Sequence, residues 1–239
     1  MGVTSLLARF RKMGFEGPYY RGIPGKARFL FESIAWRTEI VFVATPESFA
    51  AVRPLKGADL RLDRITSFSG LEKFRRQLEA EYYEGFLDSW RRPFTWGEEV
   101  TIGIIGGQVG AFAWVQRGQR NGFPTYYGRL FERDARILRV GVVPSFRRQG
   151  LNSAMMQGLL AQLLEQGFER VFAESHKFNV PSVRTFVKVG FTPIGAITVL
   201  RLPRDRQFVR WSSSGIESHL REVGISLTGV GHHKHDPST

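Results

Sequence analysis

The 239-residue chain contains no cysteine. Disulfide staples, thiolate nucleophiles and cysteine-ligated zinc are therefore excluded, and any chemistry runs through other groups. That absence fits a reducing compartment, and a cytoplasmic location is the expectation. The chain also lacks an apolar run approaching the roughly 20 residues that span a bilayer. The opening segment, MGVTSLLARFRKMGF, has neither the long apolar stretch nor the small-residue cleavage site of a secretory signal. No internal repeat of about 20–50 residues recurs, which removes solenoids and propellers. Three histidines, His232, His233 and His235, fall in the last segment of the chain. With no partner cluster elsewhere they read as a solvated, disordered tail, and no metal site is expected.

What is present is the composition of an ordinary globular protein, 42% hydrophobic and 23% charged, with room for one sizeable core. Lys and Arg number 34 against 22 Asp and Glu, a net charge of +12. Such an excess concentrates anions: nucleic acid, an acidic membrane surface or a phosphorylated cofactor. It is dispersed. Residues 1–56 carry 9 basic and 4 acidic groups, 57–203 carry 20 and 14, and 204–239 carry 5 and 4. No dense basic block or nucleic-acid motif accompanies it, so a nucleic-acid partner is not expected.

Three regions follow: an N-terminal extension (1–56), a regular domain (57–203) and a tail (204–239). In the extension, Leu6, Leu7, Phe10 and Met13 fall at helical spacing, with Arg9, Arg11 and Lys12 opposite. This basic amphipathic helix either docks on the protein's own core or lies on an anionic membrane through residues 1–30. A strand-like segment follows it. In the domain, Asp59 to Ile65 alternates like a half-buried strand. Ser69 and Glu72 have the spacing of a capping box before a helix bearing Phe74, Leu78 and Tyr82. Val100–Ile105 and Val109–Val115, joined by Gly106 and Gly107, predict a hairpin. A strand over Ala135–Val143, a helix over Asn152–Glu165, a short strand over Arg170–Ala173, a helix over Ser182–Val189 and final strands from Phe191 complete it. The tail has room for a short helix near Ile216–Glu222. Strands alternating with helices after a hairpin predict a mixed α/β (α+β) fold.

One stretch carries the chemistry: Val142-Val143-Pro144, then Ser145-Phe146-Arg147-Arg148-Gln149-Gly150, then a long helix opening Leu151-Asn152-Ser153. The first four N–H groups of a helix have no intrahelical acceptor, and the helix dipole adds partial positive charge there. A phosphate or pyrophosphate fits such a place, with Gly150 allowing close approach and Arg147 and Arg148 adding full charge. An ordinary strand–turn–helix connection has the same look. A second stretch, Asn179-Val180-Pro181-Ser182, opens a helix that ends at Gly190-Phe191.

Taken in order, the two stretches resemble the GNAT superfamily of coenzyme-A-dependent N-acyltransferases. The family's phosphate pattern, Gln/Arg-x-x-Gly-x-Gly/Ala, falls on Arg147 to Asn152. Its second signature, an Asn, a Ser three residues on and a closing Gly-Phe, falls on Asn179, Ser182, Gly190 and Phe191. The resemblance covers about residues 57–203 and implies a splayed, mostly antiparallel sheet flanked by helices. Acyl-CoA, acetyl-CoA above all, would lie between two neighbouring parallel strands as co-substrate. Arg147, Arg148, Gln149, Gly150, Leu151, Asn152 and Ser153 would hold the diphosphate. The edge of Val140–Val142 would pair with the pantetheine amides, and Asn179 and Ser182 would border the cleft. Asn179 is equally a natural helix cap.

The implied reaction is direct acyl transfer to an amine of a small molecule or peptide. A backbone N–H near Val142 would meet the developing oxyanion. Glu174 and His176, beside the expected thioester, are the candidate bases, since an ordinary imidazole titrates near neutrality. Tyr82, Tyr83, Tyr126 and Tyr127, among the arginines and aromatics of 79–96 and 117–133, are the candidate acceptor contacts. The family's sulfur-protonating Tyr is replaced by Phe186, and Asn152 stands where Gly or Ala is usual. Two alternatives stay open: a non-catalytic acyl-CoA-binding module, and transfer to an amino sugar or lipid precursor at a membrane surface.

Overall fold

The computed structural model describes residues 36–50, 60–118, 130–201, 207–215 and 220. In chain order the elements are β1 (Trp36–Ala44), α1 (Pro46–Ala50), β2 (Arg61–Ile65), α2 (Arg75–Glu81), α3 (Arg91–Thr95), β3 (Glu99–Ile105) and β4 (Gln108–Arg117). They continue with β5 (Asp134–Val142), α4 (Leu151–Glu165), β6 (Arg170–His176), α5 (Val180–Lys188), β7 (Thr192–Arg201) and β8 (Gln207–Ser212). The strands form one sheet in the order β2-β3-β4-β5-β6-β1-β7-β8. Every neighbouring pair is antiparallel except β5 and β6, which run parallel. The mixed, mostly antiparallel sheet with flanking helices is the architecture the sequence predicts.

The side-chain alternation of β4 explains how two layers share one strand. Its Ala111, Ala113 and Val115 turn to one face, where small side chains let α4 pack close through Met155, Met156, Leu159, Leu160 and Leu163. On that face α5 adds Val183 and Phe186, and β1 adds Ile40, Phe42 and Ala44. Trp114, on the other parity, packs with Leu71, Leu78 and Trp90 of the α2–α3 region. Phe112 joins the same aromatic layer, its ring 4.6 Å from that of Trp90. Farther along this second face, Val41, Phe172, Ile197 and Val199 form a smaller cluster.

Two details depart from the sequence reading. Ser69 does not cap a helix: it lies inside a 3-10 stretch, Phe68–Phe74, that precedes α2. The residue before that stretch is Ser67, which makes no side-chain cap bond, and Glu72 pairs with Arg75 instead. The Arg75 guanidinium, which also pairs with Glu79 and Asp88, draws the Glu72 carboxylate away from the backbone. Strand β6 also runs three residues beyond the expected end at Ala173, because β1 pairs with it through Glu39↔His176. β1 itself comes from the first 56 residues and β8 from beyond 203, and both sit in the same sheet. The expected helix over residues 6–13, the loop residues Tyr126 and Tyr127, and the histidines of the tail lie outside the described residues.

Candidate active site

Strands β5 and β6 pair in parallel only from Asp134↔Arg170 to Ile137↔Ala173. Past that point β5 continues to Val142 and β6 to His176 without pairing, so the sheet opens between them. Two ion pairs pin the closed segment. Arg170 grips Asp134 through two bonds of 2.8 and 2.9 Å at its start. Arg136 Nη2 donates to both carboxylate oxygens of Glu174, 2.6 Å each, at the opening. On the other edge of β5, the Val143 N–H donates to the Gly110 carbonyl of β4 at 2.9 Å. Alternation therefore turns the Val142 N–H and carbonyl into the gap. The Val142 carbonyl accepts from the Tyr82 hydroxyl and from Arg147 Nε, each at 3.4 Å. Burial pushes the Tyr82 phenol up to about 12, with Arg147 pulling the other way, so it stays protonated at neutral pH.

The basic turn at the top of this gap has a concave backbone. Arg148 (φ 64°) and Gly150 (φ 76°) are both left-handed, one of the backbone forms that gather N–H groups into an anion-binding hollow. Among the described residues, the N–H groups of residues 148–152 donate to no protein acceptor, whereas those of Ser153 and Ala154 already bond the Gly150 carbonyl. A Cβ on Gly150 would meet nothing within 4 Å, so the space over the turn is open. Glycine is needed there for its φ and leaves room besides. Asn152 follows at the second helical position, and its Oδ1 is buried without a hydrogen-bond partner. The N–H groups of 148–152 and the open turn fit a doubly charged diphosphate, to which Asn152 Oδ1, an acceptor, adds nothing.

The remaining expected residues divide. Asn179 is the cap of α5: its side chain accepts from Ser182 N at 3.4 Å. His176 ends β6, and its Nδ1 accepts from the Phe178 N–H at 3.4 Å. Glu174 and His176 share a strand face with Arg136, beside the opening. Tyr82 is buried and stacked on Phe86, ring centroids 4.0 Å apart, while Tyr83 sits at the margin of that cluster. Phe186 lies in the core, 5.1 Å from the Phe42 ring and 5.4 Å from Phe191.

Sequence reasoning passed over a polar group on the face opposite α4. Glu98 bonds to Arg139, whose guanidinium also lies 5.4 Å from the Trp114 ring centroid. Arg139 is left-handed (φ 37°), where the β4–β5 register slips and β5 bulges. Burial raises the Glu98 carboxyl above its ordinary range, against the pull of Arg139 and Arg136. The signal in the sequence was slight: Arg136 and Arg139 interrupt the apolar run that follows Asp134 in β5.

A model of the acetyltransferase (GNAT) family matches residues 64–191, more than half of the chain. The chain belongs to the GNAT family. Among curated proteins none matches it. Solved structures similar in fold include a GNAT-family acetyltransferase from Colwellia psychrerythraea, 14% identical with a TM-score of 0.47, covering 77% of this chain and 61% of that one. A GCN5-related N-acetyltransferase from Kribbella flavida is 16% identical with a TM-score of 0.44, covering 81% and 65%. This chain thus spans less than two thirds of the length of either. Arg147 to Asn152, which resemble the family's phosphate pattern, fall on the open turn, and Asn179 and Ser182 fall on the α5 cap. Phe186, at the position the resemblance equates with a tyrosine, fills core volume between Phe42 and Phe191.

Proposed function

We propose that this protein transfers an acyl group, acetyl in the first instance, from an acyl-CoA to a primary amine of a small molecule or peptide. The observation that carries the reading is the run of N–H groups at 148–152 that find no acceptor among the described residues, set at the mouth of an unpaired gap between parallel strands. Arg147, Arg148, Gln149, Gly150, Leu151, Asn152 and Ser153 would hold the diphosphate. The free edge at Val140–Val142 would take the pantetheine amides as an added strand, and Asn179 and Ser182 would shape the cleft floor. The Val142 N–H, turned into the gap, is the oxyanion donor in this reading.

Proton handling at the opening is assigned to Glu174 and His176. The Arg136 guanidinium on both Glu174 oxygens argues against Glu174 as the acceptor, because protonation would forfeit a buried charge-assisted pair. An imidazole whose Nδ1 accepts from a backbone N–H carries its own proton on Nε2 when neutral. His176 is thus suited to hand a proton to the departing sulfur, the task for which Phe186 has no group. Tyr82, Tyr83, Tyr126 and Tyr127 would contact the acceptor. A second reading, binding of acyl-CoA without transfer, is favoured by Phe186 alone.

Calorimetry with acetyl-CoA on the wild type, Gly150→Asp and Gly150→Asn tests the cradle. Both side chains strain the left-handed backbone to a like degree and have the same size, so only charge separates them. Asp is expected to weaken binding at least about 100-fold relative to Asn, the effect of roughly 3 kcal/mol of misplaced charge. Equal affinities for the two variants, or no saturable heat from the wild type, would remove the reading.

A further inference from the structure

We propose that Glu98 is the general base of the transfer reaction, holding the acceptor's ammonium in the place that the Arg139 guanidinium occupies in the free protein. The inference rests on the acyl-transfer reading above and adds to it the residue that takes the acceptor's proton.

Position comes first. Glu99 pairs with Val115 and Gln116 pairs with Arg136, so Glu98, one residue before β3, continues the row through Gln116 on β4 and Arg136 on β5. Its neighbour Glu99 turns to the opposite face, held there by Arg64 and Arg117. Arg139 stands two residues past Ile137, the last β5 residue paired with β6, so its contact with Glu98 lies level with the opening of the gap, on the β4 side of β5. A non-glycine residue held left-handed at a bulge is a strained feature of the kind that accumulates where a side chain must be aimed.

Environment comes second. The Glu98 side chain is 12% exposed and that of Arg139 is 47% exposed. The carboxylate is therefore sheltered, while its cationic partner reaches water and can leave. Among the described residues, the charged groups facing Glu98 are Arg139 and Arg136, both from β5. Glu174 neutralises Arg136 in turn, and Gln116 is uncharged. Replacing Arg139 by an ammonium exchanges one cation for another and keeps the local charge balanced. Burial, the leading influence on this carboxyl, moves its proton affinity toward that of a working base.

The step balances. The ammonium nitrogen gives one proton to Glu98, and its lone pair forms the C–N bond at the thioester carbonyl carbon. The C–S bond breaks with its electron pair on sulfur. The second nitrogen-bound proton reaches that sulfur, and Glu98 releases its own proton to water.

The test compares two nucleophiles. Ethanolamine is protonated near neutral pH and needs a base; hydroxylamine is largely unprotonated there and does not. Thiol release from acetyl-CoA, above background, is followed for the full chain between about pH 6 and pH 9. Glu98→Gln is expected to lower kcat/KM with ethanolamine about 100-fold near neutral pH, to make the remaining rate rise with pH as the free-amine fraction does, and to lower hydroxylamine transfer at least tenfold less. Equal losses with both nucleophiles, or no loss with ethanolamine, would overturn the assignment. Should Glu98→Gln fail to fold, Glu98→Asp withdraws the carboxylate by about 1 Å and should lower the ethanolamine-to-hydroxylamine ratio at least tenfold. A ratio equal to that of the wild type would overturn it equally. A wild type inert toward both nucleophiles would defeat the transferase reading itself, a result distinct from any of these.

Discussion

Glu98 and Glu99 are adjacent in sequence yet end on opposite faces of the sheet with opposite titration behaviour. Burial would raise Glu99, but the bond from Arg64 and the charges of Arg117 and Arg64 outweigh it and hold the carboxyl below its ordinary range. For Glu98 burial prevails. A lowered folded-state value means that Glu99 contributes stability above the ordinary carboxylate range, and the contribution is lost as pH falls through the folded value. A raised value reverses the sign: Glu98 disfavours the folded state once pH exceeds the ordinary range. Urea midpoints should therefore show Glu99→Gln destabilised by about 3 kcal/mol at neutral pH, since two guanidiniums lose their shared partner. That difference should shrink in acid. Glu98→Gln should stay within about 1 kcal/mol of the wild type, because its pair with half-exposed Arg139 contributes little to stability. None of this was legible in the sequence, where Glu98-Glu99 reads as a charged step before a strand. The face each takes is decided by the phase of β3 against β4. Asn179 was legible because its role is local, a bond to the residue three positions on, and Gly150 was legible as open space at a helix start, though its left-handed φ was not.

At the scale of elements, legibility follows the range of the contacts that define each one. The helix α4 announces itself through Met155, Met156, Leu159, Leu160 and Leu163, all fully buried, and its observed span differs from the expected one by a single residue. The bulge of β5 does not announce itself, because it depends on what β4 places opposite. A Cβ on Gly141 would lie 2.4 Å from Phe112 Cζ. That ring cannot retreat, being packed 4.6 Å from the Trp90 ring and edge-on to Tyr82 at 6.5 Å. Gly141→Ala must then shift β5 itself, at the residue between Val140 and Val142. Overpacking of this kind costs about 1–3 kcal/mol. It should also lower acetyl-CoA affinity, since the displaced strand carries the free edge. Leu160→Ala, a buried truncation on α4, should cost about 3 kcal/mol and leave affinity unchanged. Calorimetry beside denaturant titration separates the two, and equal affinity losses would mean that the β5 edge is not a binding element.

At the scale of the whole molecule, the least expected feature is where the first described strand goes. The sequence places Trp36–Ala44 in an extension, yet β1 lies in the interior of the sheet, antiparallel to β6 over Glu39–Ala44 and to β7 over Trp36–Val43. Its Val41 and Phe42 are completely buried, on opposite faces. A strand buried on both sides has no polar–apolar alternation to mark it, and its two partners lie more than 120 residues away in sequence. Chain order and spatial order thus part company at the site, since β6 is held against β5 on one edge and β1 on the other. Removing residues 1–56 would strip β6 and β7 of their shared neighbour, leave two unpaired edges and, with Phe42 gone, expose the floor of the α4–α5 core. That truncation should give insoluble or molten material by size exclusion and near-ultraviolet circular dichroism. Removing residues 1–30 leaves β1 whole and should preserve a cooperative urea transition, which makes it the proper variant for testing membrane attachment with anionic vesicles. A soluble, cooperatively folding chain that begins at residue 57 would show that β1 is dispensable to the sheet and that the opening between β5 and β6 is set without it.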